Sequence, residues 1–220
     1  MAQTATARFR REAEAAARLR SPHTVELYDF GVTDDGTFYF AMELLDGLDL
    51  ETLVERHGPL PPARVIYILR QLCESLEEAH ASGLVHRDIK PANIHVGRVG
   101  LRDDFVKVLD FGLVKTVAGV ATSSMETASG LTPGTPAYMA PEVALGEKVD
   151  ARADIYAVGC VAYFLLTGKV VFEAENALHA IAKHLREQPV PPSKRAGLTL
   201  PPGLDDVVVA CLAKAANERP

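Results

Sequence analysis

Apolar residues recur every three to four positions along 61–80, where Val65, Ile66, Ile68, Leu69, Leu72 and Leu76 share helical spacing. That period predicts a long amphipathic helix, opened by Pro61-Pro62 and closed at Gly83. Ile155–Leu166 is apolar nearly all round, which predicts a helix buried on every side. Residues 7–20 predict a helix with Phe9, Ala13, Ala16 and Ala17 on one face, ended by Ser21-Pro22. Shorter helices are predicted over Leu48–Arg56, Ala174–Glu187 and Leu204–Ala215, with Pro189–Pro192 linking the last two. Two strands, Val25–Gly31 and Thr37–Glu43, flank a turn at Asp34-Asp35-Gly36. A shorter strand pair, Ile94–Val96 and Val106–Leu109, brackets an extended turn at Gly97–Asp104, and the Ser/Thr/Gly-rich stretch 115–134 predicts a loop. Strands come first and helices follow. This order predicts an α+β fold, a small sheet-containing lobe on a helical lobe.

Composition adds limits. The chain has 220 residues, 48% hydrophobic and 24% charged, enough apolar material for a sizeable core. A net charge of -6 gives no electrostatic footprint for nucleic acid. No apolar run reaches the ~20 residues of a membrane span. The first residues lack the pattern of a signal peptide, and the expected location is cytoplasmic. Cys73, Cys160 and Cys211 have no metal-ligand spacing and read as reduced core residues. His80, His179 and His184 read as surface or packing residues, since His179 and His184 are five apart and poorly placed for one helical face.

Asp88, Lys90 and Asn93 stand on one short segment between a predicted helix and a predicted strand, and Asp110 follows the next strand. Asn93 and Asp110 supply oxygen ligands of the kind Mg²⁺ takes, leaving room for phosphate. Asp88 remains as a base for a hydroxyl nucleophile, and Lys90 can neutralise charge on a transferred phosphoryl group. These parts suit phosphoryl transfer.

His86-Arg87-Asp88-Ile89-Lys90-Pro91-Ala92-Asn93, then Asp110-Phe111-Gly112, then Ala140-Pro141-Glu142 occur in that order. With them the chain resembles eukaryotic-like serine/threonine protein kinases, especially bacterial ones, from about residue 8 onward. The resemblance implies a two-lobe kinase-like fold, with 1–45 a remnant of the small lobe and 46–220 the large lobe. It implies ATP and Mg²⁺ as cofactors and protein Ser/Thr hydroxyls as acceptors. Asp88 matches the catalytic base, Lys90 the lysine typical of Ser/Thr kinases, and Asn93 and Asp110 the metal ligands. Thr135, in the Gly134–Glu142 substrate-docking loop, would bond near Asp88 and Lys90. Met42 matches the gatekeeper, Glu43-Leu44-Leu45 the adenine-binding hinge, and His95 the residue beneath the adenine, which is normally apolar. Asp154 and Gly159 match the central-helix pattern, in which the Asp holds the catalytic loop. His86 and Phe111 would pack in a column linking the lobes, and Arg219 would pair with Glu142. Residues 122–132, among them Ser123, Ser124, Thr127, Ser129 and Thr132, are candidate autophosphorylation sites.

The pattern departs at the start. Glu12 matches a helix glutamate that pairs with a strand lysine, yet the first lysine is Lys90 and the first glycine is Gly31. The small lobe is therefore expected to be incomplete, the chain a fragment, and its activity alone low. Two other functions compete. A non-catalytic pseudokinase or scaffold fits the missing lysine. A small-molecule phosphotransferase would share the two aspartates but lack Lys90-Pro91, the docking loop and Thr135.

Overall fold

The computed structural model describes residues 13–34, 37–111 and 135–220. Glu12, the 115–134 segment and its candidate phosphorylation sites lie outside them. The helix expected over 7–20 is helical at 13–16 and has become a turn at Ala17, earlier than Ser21-Pro22 required. Its expected apolar face is real: Ala13 and Ala16 are buried.

Two antiparallel strands follow, β1 (Leu27–Val32) and β2 (Phe38–Met42), in the register Leu27↔Met42 to Val32↔Phe38. A second sheet has the order β3-β4-β5, with β3 (Leu48–Asp49), β4 (Ile94–Val99) and β5 (Arg102–Val108). Leu48 and Asp49 were expected to begin a helix. They instead pair with Val96 and His95. The helix α1 starts two residues later than expected (Leu50–His57), capped by Asp49, whose carboxylate accepts the Thr52 N–H at 2.8 Å.

The β4–β5 hairpin also corrects the expected long turn at 97–104. Both strands run on to a tight reversal at Gly100-Leu101. The polar residues that mimic a loop are held from outside. Arg64 grips Asp104 with two bonds of 2.7 and 2.8 Å, and Gln71 donates to the Asp104 carbonyl and accepts from Val106 N–H.

α2 (Pro62–Ala81) buries Val65, Ile68, Leu72, Leu76 and Ala79, whereas Ile66, counted on the same face by its spacing, is 43% exposed and Leu69 is half-buried. Gly83 takes the left-handed conformation just past its end, at φ 74°. Cys73 differs from expectation. It is exposed, one step round the helix from Leu72, whereas Cys160 and Cys211 are buried.

The remaining elements are α3 (Pro141–Ala144), α4 (Arg152–Thr167), α5 (Ala177–Arg186), α6 (Pro192–Ala196) and α7 (Leu204–Cys211). α6 begins at the last residue of the Pro-rich link, and α7 ends four residues before the expected limit. In α4, fourteen of sixteen residues are buried, as an all-round apolar pattern requires. A Cβ on Gly159 would sit 2.7 Å from Cβ of Cys211 and 3.2 Å from Leu212, so glycine lets α7 close onto α4. The result is a small sheet with one helical turn set on a helical body.

Candidate active site

The site hangs from α4. Asp154, 1% exposed, accepts from His86 N–H and Arg87 N–H, each at 2.8 Å, and from His80 Nε2 at 2.8 Å. A buried carboxylate would be costly alone, and three donors offset its desolvation. These bonds also hold Arg87 in the left-handed region, φ 65°, which a non-glycine residue rarely adopts. His80 thus has a definite role that its sequence position did not disclose.

His86 is fully buried, and its Nε2–H donates to the Leu109 carbonyl at 2.8 Å. That leaves Nδ1 to accept from Asp88 N–H at 3.3 Å. Burial pushes the His86 imidazole below its ordinary pKa, against the pull of Asp154. It is a neutral spacer, and its ring packs on Phe111 with centroids 4.6 Å apart, the packing role expected of both residues.

Asp88, Lys90 and Asn93 come together as their spacing suggested. Lys90 Nζ lies 3.0 Å from Asp88 Oδ2, and Asn93 Nδ2 donates to that same oxygen at 3.0 Å and to the Asp88 carbonyl at 2.9 Å. The amide is thereby oriented, and among the described residues its Oδ1 has no hydrogen-bond donor. Asp110 follows β5 with φ 56°. Burial pushes its carboxyl up, Asp88 adds to that, and His86 and Lys90 oppose it. Two carboxylates and an amide oxygen around a partly dry cleft form a donor set that a hard divalent cation would relieve.

The other expected residues surround this centre. Met42 ends β2 and lines a small cavity with Ala16, Leu27, Asp110 and Phe111. His95 stands on β4 between Asp49 and Lys107, and burial lowers its pKa against Asp49 and Asp46. Leu45 is half-buried and Leu44 is 99% exposed. The Glu43 carboxylate is already engaged, by Glu26 N–H at 2.8 Å and Lys107 Nζ at 2.5 Å. Thr135 begins a 3-10 turn, Thr135–Tyr138, and its side chain lies outside the described ones. Beside Asp88 and Lys90 opens a cleft walled by Tyr138, Met139, Ala140 and Val143.

Farther off, Arg219 and Glu142 form the expected pair, at 2.6 and 2.8 Å. His184 is a buried packing residue, bonded to the Tyr156 hydroxyl at 2.8 Å, whereas His179 is exposed.

A small sheet, a helical body and this loop between them define a protein kinase domain, and the chain belongs to that family: the protein kinase domain pattern matches residues 1–220. Within the family it is of the bacterial serine/threonine type. It is 41% identical over 215 residues to the serine/threonine-protein kinase pkn3 of Myxococcus xanthus, covering 97% of this chain and 39% of that protein. It is 43% identical over 216 residues to PknB of Mycolicibacterium smegmatis, covering 96% of this chain and 33% of that protein. Among solved structures, Rad53 1-466 in complex with AMP-PNP superposes with a TM-score of 0.76 at 28% identity, over 96% of this chain and 51% of that one. Among the described residues no helix is long and apolar enough to cross a membrane.

Proposed function

We propose that the chain transfers the γ-phosphoryl group of ATP to serine or threonine hydroxyls of proteins. The observation that carries this reading is the Asp88–Lys90–Asn93 cluster on a loop fixed by Asp154. The acceptor hydroxyl attacks the γ-phosphorus, the bond from that phosphorus to the β,γ-bridging oxygen breaks, ADP leaves with the electron pair, and the hydroxyl proton goes to Asp88. Lys90 neutralises charge on the moving group. Asn93 Oδ1 and Asp110 would hold Mg²⁺, which supplies charge neutralisation at the phosphates when bound. The base would lie against Met42, Leu45 and His95. With the Glu43 carboxylate turned to Lys107, the hinge offers the nucleotide its backbone. The cleft between Asp88, Lys90 and the Tyr138–Val143 wall would receive the residue next to the acceptor.

We further place the lobe division at 45/46, the protein in the cytoplasm, and self-phosphorylation within 122–132. A protein acceptor is favoured over a small molecule by Lys90 and by the docking loop of Thr135.

Incubation with γ-labelled ATP, Mg²⁺ and a protein acceptor tests the proposal. Slow labelling of Ser or Thr, abolished by Asp88→Asn, is expected. Labelling unaffected by Asp88→Asn would refute it, and nucleotide binding without labelling would favour the scaffold reading.

A further inference from the structure

A half-buried ion pair, outside the catalytic cluster, joins the hinge to the strand that delivers Asp110. Glu43 is the first residue after β2, and Lys107 lies on β5, three residues before Asp110. Their side chains are 20% and 16% exposed, and Nζ to Oε1 is 2.5 Å. The same Oε1 accepts Glu26 N–H at 2.8 Å, while Lys107 Nζ reaches the Thr24 carbonyl at 3.3 Å. The backbone repeats the connection: Val25 N–H donates to Val108 O at 2.9 Å, and Val108 N–H to His23 O at 2.8 Å. One ammonium therefore touches the segment that enters β1 and the segment that leaves β2, both at the open end of the ribbon. Lys107 is also the register partner of His95.

We infer that Lys107 and Glu43 are a positioning pair that fixes the hinge against β5, setting the distance between the site of the base and the metal-binding Asp110. This rests on the nucleotide site proposed above. Neither side chain touches the reacting atoms. Their effect is to order the hinge before a nucleotide arrives, so that binding loses less conformational freedom. Charge-assisted bonds in a half-buried setting are strong enough to matter, and each isolated partner would be left poorly solvated.

The test uses the full chain in two measurements. Hydrogen exchange reads the pair directly. Lys107→Met should speed exchange of the Val25 and Glu26 amides by about tenfold or more, leaving residues 156–166 unchanged. Binding of a methylanthraniloyl-labelled ADP with Mg²⁺ reads the consequence. Lys107→Met and Glu43→Gln should each weaken it by about three- to tenfold, Lys107→Arg should restore it, and the exchanged pair Glu43→Lys/Lys107→Glu should recover part of the loss. Unchanged exchange at 25–26, unchanged or tighter nucleotide binding in Lys107→Met, or failure of Lys107→Arg to rescue would each overturn the inference. If the unsubstituted chain binds no nucleotide, the function proposed above fails, and the exchange measurement still decides whether the pair fixes the hinge.

Discussion

Replacing Arg219 with alanine should destabilise the helical body, and the structure fixes both size and pH dependence. The guanidinium is fully buried and makes five bonds. Two go to Glu142 at 2.6 and 2.8 Å, and three go to the carbonyls of Ala213, Arg152 and Lys214. It also lies 4.9 Å over the Tyr156 ring. Truncation leaves a buried carboxylate and three carbonyls without this donor, a loss of about 3–5 kcal/mol. For a domain of this size that is about 6–20 °C in thermal midpoint. Circular dichroism is the suitable assay, since the chain has no tryptophan to report by fluorescence. Burial alone would raise the Glu142 carboxyl, yet its bonds to Arg219 hold it below its ordinary value of 4.5. In the unsubstituted protein the pair's contribution is full above that value and is lost as pH falls through the lower, folded-state pKa. Without Arg219 the buried Glu142 takes up a proton more readily. The deficit of Arg219→Ala should therefore narrow as pH is lowered toward 5. An unchanged midpoint at neutral pH, or a deficit that widens on acidification, would refute the reasoning.

Other substitutions probe separate parts of the fold. Gly159→Ala places a methyl against Cys211 and Leu212 and should cost about 1–3 kcal/mol in a denaturant titration; no loss would mean that α7 can retreat freely. Asp154→Asn keeps one acceptor oxygen but replaces the other with a donor facing N–H groups. It should cost about 2–3 kcal/mol and free the His86 and Arg87 amides to exchange, whereas retained protection would show that the loop is held by other means. His95→Leu replaces a partly buried imidazole with an apolar side chain and should leave nucleotide affinity equal or tighter, measured by titration calorimetry; a large loss would show that the imidazole itself contributes to binding.

The long helix and the core helix were legible because their period is carried by many residues, and the catalytic loop because its types and order are distinctive. Cys73 shows how such a reading fails. An apolar-seeming residue beside Leu72 was assigned to the core, but one step along a helix turns about 100° and brings it beside Glu74 and Glu77, facing water. The hairpin from 94 to 108 is hard to read in the middle because Arg98, Arg102, Asp103 and Asp104 look like a loop, while cross-strand pairing, the Arg98–Asp103 ion pair and the grip of Arg64 and Gln71 from another element hold them as strand. Asp49 was read as helix because its cap and its bridge to His95 coincide on one residue. Lys107 could not be found at all, since its partner lies 64 positions away and nothing local distinguishes it from a solvated surface lysine.

The left-handed backbone of Arg87 and Asp110 bears on where the chemistry resides. Each conformation is unfavourable by about 1–2 kcal/mol for an ordinary residue. Each adjoins or carries one of the two cleft carboxylates. Left to itself, a peptide copied from 86–111 would relax out of both turns and scatter those carboxylates, with no affinity for magnesium to speak of. The motif is thus a set of instructions that only the folded body can execute. Grafting it onto another hairpin would transfer the letters without the function unless a buried acid like Asp154 went with it.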